Sequence, residues 1–113
     1  MNFKTNARGW NDLSDIQDTE HFLDTDTKCL DEIEGVLERY GMMSRFGVAL
    51  LHKDFSIDED EVLVERCDAK KKTLTLKPEK ISDLEGQDVV PTIYRFDNGV
   101  RYGCSYCNRD HHT

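Results

Sequence analysis

Apolar residues recur along the first part of this chain at helical spacing and along the second at strand spacing. In "DTDTKCLDEIEGVLERYG", Leu30, Ile33, Leu37 and Tyr40 fall at i, i+3, i+7 and i+10, one side of a helix. Asp31, Glu32, Glu34 and Glu38 fall elsewhere on the wheel and face water. Asp26 or Thr27 supplies the N-cap and Gly41 the C-terminal stop. A second helix is predicted over Asp12 to Phe22, capped by Asn11, with Leu13, Ile16 and Leu23 as its stripe. Residues 1–11 have no period and read as a loose arm pinned by Trp10.

After Gly41 the pattern changes. "RFGVALLHK" is an apolar run too short for a buried helix and reads as a central strand. "DEVLVERC", with Val62 and Val64 on one face, is expected to pair with "KTLTLKP", where Leu74 and Leu76 share a face; "DAKKK" is the turn. "PTIYRFDNGVRYGCSY" holds two strand-like runs joined at Asn98-Gly99, a pair suited to the positive φ angles of a type I′ turn. Helices followed by hairpins predict an α+β fold, one or two amphipathic helices packed on a curved, about five-stranded antiparallel sheet. A chain of 113 residues is expected to form a single domain, 1–113, with a flexible tail from 108 to 113.

Charge narrows the function. The net charge is −8, and residues 1–61 hold 15 acids against 6 bases while residues 62–113 hold 8 against 9. An acidic half repels phosphate backbones, which argues against nucleic acid as a partner. The lysine cluster Lys70–Lys72 falls in a turn, where solvated lysines are ordinary. No apolar run approaches the roughly 18 residues of a membrane span, and the N-terminus lacks an apolar signal core. Those two points predict a cytoplasmic protein with no membrane partner, and reduced thiols or metal ligands at Cys29, Cys67, Cys104 and Cys107.

Two spots could carry chemistry. Cys104 and Cys107, followed by His111 and His112, have the spacing of half a zinc knuckle, and Asn108 suits the left-handed residue that follows its second cysteine. Closing a zinc site takes four ligands, so Cys29, Cys67, His21 or His52 would have to supply the rest. Incidental thiols on a tail, or a disulfide or oligomer contact, are the competing readings. A redox role fails because six residues after Cys107 make no useful helix to lower a thiol pKa. The second spot is His52 and Asp54, two residues apart on one face if the segment is a strand, and able there to act as base and orienting carboxylate or as metal ligands. A solvated strand end is the plainer account. Calcium loops fail on position, since Asp24 as first ligand puts Gly35 where the bidentate Glu belongs.

The segment "FGVALLHKDFSIDEDEVLVE", Phe46 to Glu65, resembles a family of small uncharacterised proteins sharing a Phe-Gly-x-x-Leu-Leu-His-x-His-Phe strand, an acidic turn and a Glu-x-Leu-Val-Glu-like strand. Asp54 stands where that pattern has His, which implies a preference for harder ions if the pair binds metal. The resemblance implies no activity, and it leaves the Cys-x-x-Cys outside the shared segment. With no complete catalytic constellation, the leading expectation is a non-enzymatic binding or regulatory module whose acidic helical half meets a basic protein partner. A small zinc protein and a small enzyme or ligand pocket at His52 and Asp54 are the alternatives.

Overall fold

The sheet is built around its last strand. In the computed structural model, which describes residues 2–112 with the side chains of 2, 3, 111 and 112 set aside, the strands are β1 (Asn2–Lys4), β2 (Glu61–Asp68), β3 (Thr73–Lys80), β4 (Val89–Asp97) and β5 (Val100–His112). β4 runs antiparallel along one edge of β5. The other edge is shared: β1 pairs parallel with its start, Asn2 opposite Val100, and β2 pairs parallel with its end, Val64 opposite Tyr106. β3 extends the sheet as the antiparallel partner of β2, Glu61 opposite Lys80 through Asp68 opposite Thr73.

Both hairpins form where the turn residues direct. Asn98 and Gly99 take φ of 48° and 82°, the two positive angles that a type I′ turn demands. Lys72, at φ 54°, closes the β2–β3 turn. The α+β class holds, but the expected curved, all-antiparallel sheet does not: this sheet is mixed. Local turns set the antiparallel pairs, while the parallel ones join strands far apart in sequence and leave no local signal.

Four further expectations fail for identifiable reasons. "RFGVALLHK" forms no strand, because the central place it was to take belongs to β2, which has partners on both edges. The helix over 12–22 reduces to a 3₁₀ turn at Ile16–Asp18. Its intended cap, Asn11, is spent elsewhere: the Asn11 amide donates to the Ile57 carbonyl and accepts from the Ile57 N–H, both at 2.8 Å. The segment 1–11 is therefore no loose arm. It contains β1 and α1 (Arg8–Asn11), and Trp10 is buried with its indole N–H donating to the Phe55 carbonyl at 2.7 Å. Nor is 108–110 part of a tail, since β5 continues through it.

Packing explains why β2 is central. Leu63 points to a cluster of Ala7, Trp10 and Ile57, with Leu13 against it. Val62 and Val64 point the other way, onto Tyr106, with Leu84 and Val89 alongside. Each fully buried side chain of this size contributes about 1.5–3 kcal/mol. α1 is held over β5 by charge as well: Asp12 accepts from Arg8 Nε at 2.8 Å and Arg95 Nη2 at 3.0 Å, and both guanidiniums lie over the Tyr102 ring. Those elements belong to one compact unit, Met1–Leu13 with Lys53–Thr113.

Ser14–His52 form a second unit, carrying α2 (Thr27–Arg39). Asp26 does not cap α2 with its side chain; the carboxylate accepts from the Leu23 N–H at 2.8 Å, inside a preceding 3₁₀ turn. The C-terminal stop is as the sequence predicts. Gly41 has φ 69°, its N–H bonds to the Glu38 carbonyl at 3.1 Å, and Met42 N–H reaches the Leu37 carbonyl at 2.7 Å, a Schellman motif. No residue of α2 is buried.

One contact tolerates no side chain. A Cβ built on Gly9 would overlap the Gly103 carbonyl, which is backbone and cannot swing aside. Gly9→Ala is expected to destabilise the protein by about 1–3 kcal/mol, read as a lower urea midpoint at unchanged slope.

Candidate functional site

The C-terminal cysteines sit in mid-strand, and that decides their geometry. Side chains alternate between faces along a strand. Tyr106 is opposite Val64 and Cys107 opposite Glu65, so the two point to different faces of the sheet. Cys104 is buried beside Tyr106, close enough to influence its ionisation. The ladder shifts register opposite this stretch, skipping Cys104 between Gly103 and Ser105, so alternation alone does not assign its face; the segment is strand throughout, and no knuckle turn joins the two cysteines. Asn108, expected in a left-handed conformation, has no positive φ. It is a fully buried strand residue, donating to Gln87 Oε1 at 2.7 Å and accepting from the Asp110 N–H at 3.0 Å.

The fold instead brings Cys67 to Cys107. Glu65 is opposite Cys107, Cys67 follows two residues along, and the backbone of His112 is opposite Cys67 after an irregularity. The side chains of His111 and His112 lie outside the described residues. Burial pushes the Cys107 thiol up, the negative charge of Glu65 and Cys67 pushes it further, and Arg109 opposes them. Burial likewise raises Cys104, against the pull of Arg95. Cys29 and His21 are exposed in the other unit, and among the described residues no group of three metal-ligating side chains gathers.

His52 and Asp54 are not aligned by a strand. Leu51 and His52 are irregular, and His52 is half-buried with Nδ1 3.1 Å from the Leu50 carbonyl. Asp54 is exposed. His52 ends one unit and Asp54 lies in the other. Neither lines a cavity described here.

Two concave features are present that periodicity could not show. On the Tyr106 face, a cavity of about 300 Å³ is lined by Thr5, Val62, Leu84, Gln87, Val89 and Tyr106. The Tyr106 hydroxyl is buried; Thr5 is near enough to favour its ionised form, yet the pair does not meet hydrogen-bond geometry. Its place depends on Gly103, since a Cβ there would collide with the phenol. On α2, a shallow, open depression of about 270 Å³ is lined by Asp31, Glu34, Gly35 and Glu38. These are positions i, i+3, i+4 and i+7, one strip of the helix adjoining the apolar one.

Among known proteins, no family model, no curated protein and no solved structure matches the chain. No helix among the described residues is long and apolar enough to cross a membrane.

Burial is the first cause of the upward shift at Cys104, Cys107 and Tyr106. The folded state therefore holds these protons more tightly than the unfolded chain. Their contribution is whole below the ordinary thiol value, about 8.5, and is lost as pH rises through the folded values. Urea midpoints are expected to fall as the pH is taken from 8 towards 10, and Cys104→Ala is expected to flatten that fall.

Proposed function

We propose that this protein is a non-enzymatic binding module that docks a basic, amphipathic segment of a protein partner along α2. One observation carries the reading: α2 presents an apolar strip and an acidic strip side by side, and none of its residues is buried. The apolar strip is Leu30, Ile33, Val36 and Leu37, continued by the exposed Tyr40. The acidic strip is the depression of Asp31, Glu34 and Glu38, in which Gly35 leaves room for a long side chain. The surrounding unit supports it, since residues 14–52 carry 9 acids and 3 bases, −6 of the total −8.

Magnitudes apportion the work. An exposed ion pair contributes about 0.2–1 kcal/mol, so the carboxylates choose the partner and steer its approach. The apolar strip supplies most of the affinity. A designed Leu/Lys amphipathic peptide is a suitable probe, followed by fluorescence anisotropy. Glu34→Lys and Glu38→Lys are each expected to weaken binding about 2–5-fold, Ile33→Asp to abolish it, and added salt to weaken it. Gly35→Ala separates stability from binding: it is expected to stabilise α2 by about 0.5–1 kcal/mol while filling the depression and weakening the complex. Salt-independent binding, indifferent to both charge reversals, would overturn the reading.

A second reading rests on Cys67 beside Cys107. In it the two thiolates form one end of a zinc site, completed by His111 or His112 or by a second chain. What supports it is the strand register, which sets the Glu65 carboxylate opposite Cys107 and Cys67 two residues along. Native mass spectrometry is expected to show one zinc lost in Cys67→Ser and Cys107→Ser but kept in Cys104→Ser. Loss in Cys104→Ser with retention in Cys67→Ser would restore the knuckle.

A further inference from the structure

The sheet has open edges at β1, β3 and β4, and they are not equivalent. β1 is three residues long. β4 is interrupted by Pro91 and by two shifts of register against β5, features that blunt an edge against further pairing. β3 has neither defence along its first half. It keeps unbroken register with β2 over eight residues, and its only proline is Pro78, near its far end. From Thr73 to Leu76 it carries no charge.

Its exposure is equally uneven. Leu74 and Leu76 point to one face, opposite Cys67 and Glu65, and remain 67% and 42% exposed. Lysines sit at both ends of this uncharged stretch. Residues 69–77 hold Lys70, Lys71, Lys72 and Lys77 and no acid, a local +4 in a chain of net −8. None of the four makes an ion pair among the described residues, whereas Lys80 is held by Asp60 and Glu79 is held by Arg66. The basic charge flanking the edge is therefore available.

We propose that the open edge of β3 takes up an extended acidic peptide as an added strand. The peptide backbone would hydrogen-bond to the outward N–H and C=O groups of Thr73–Lys77, and its alternate apolar side chains would cover Leu74 and Leu76. Its carboxylates would meet Lys70–Lys72 at one end and Lys77 at the other. Charge chooses this occupant over a second copy of the chain. Antiparallel pairing of β3 with itself would bring the lysine cluster of one copy against Lys77 of the other, a like-charge arrangement. β3 belongs to a different unit of the chain from α2, whose own carboxylates repel an acidic peptide.

The test uses the full chain and a fluorescein-labelled peptide alternating Glu with Val and Thr, followed by anisotropy. Saturable binding is expected, and it should be weakened about tenfold or more by Lys70→Glu, Lys71→Glu and Lys72→Glu together. These lysines lie in an exposed turn, and an unchanged melting temperature confirms that the variant is folded. A peptide N-methylated at alternate amides keeps its charge and loses one edge of donors, so its binding should disappear. Equal binding of the N-methylated peptide would overturn the proposal, leaving charge attraction alone. So would undiminished binding to the lysine variant, or a dimer in sedimentation that Leu74→Lys dissolves, because the edge would then belong to a second copy.

Discussion

Every long-range feature of the sheet depends on β5 being paired along both edges at once. Its backbone receives β4 on one side and first β1, then β2, on the other. Without it, β1 would have no strand partner, and the two hairpins would share no ladder. The register of its end against β2 sets Glu65 opposite Cys107, with Cys67 two residues along, and so delivers Cys107 to Cys67.

The same constraint decides what the sequence could reveal. Asn98-Gly99 and the lysine turn were legible because a hairpin is a local event, fixed by a few residues with positive φ. The helix of Leu30, Ile33 and Leu37 was legible because its period is local too, as was its stop at Gly41. The parallel ladders were not, since nothing in Val62–Val64 names Tyr106 as its neighbour. The Phe46–His52 run misled for a related reason: apolar residues qualify a segment for burial, but a strand also needs an edge to receive it. Asn11 misled because an amide that can cap a helix can equally clamp a distant backbone, and the structure uses it on Ile57.

For the candidate sites, the residue types were legible and their grouping was not. Cys67 was one of four possible companions for Cys107, and strand register, invisible in the sequence, brings it nearest in the ladder. Tyr106 gave no signal at all, because an aromatic in a strand reads as core until a glycine three residues back makes room for its hydroxyl. The acid strip on α2 was visible as charge, and only the depression beside Gly35 gives it a shape.

The position of β5 in the chain also bears on how the protein comes to be made. β5 follows every strand it joins, so during synthesis β1 and β2 emerge well before their shared partner. The β2–β3 hairpin can close early, yet Val62 and Val64 stay bare until Tyr106 has been added. A nascent chain stalled short of β5 would expose a hydrophobic strand edge of the kind that chaperones bind and aggregates recruit. That hazard lasts until β5 can pair, however stable the finished sheet is.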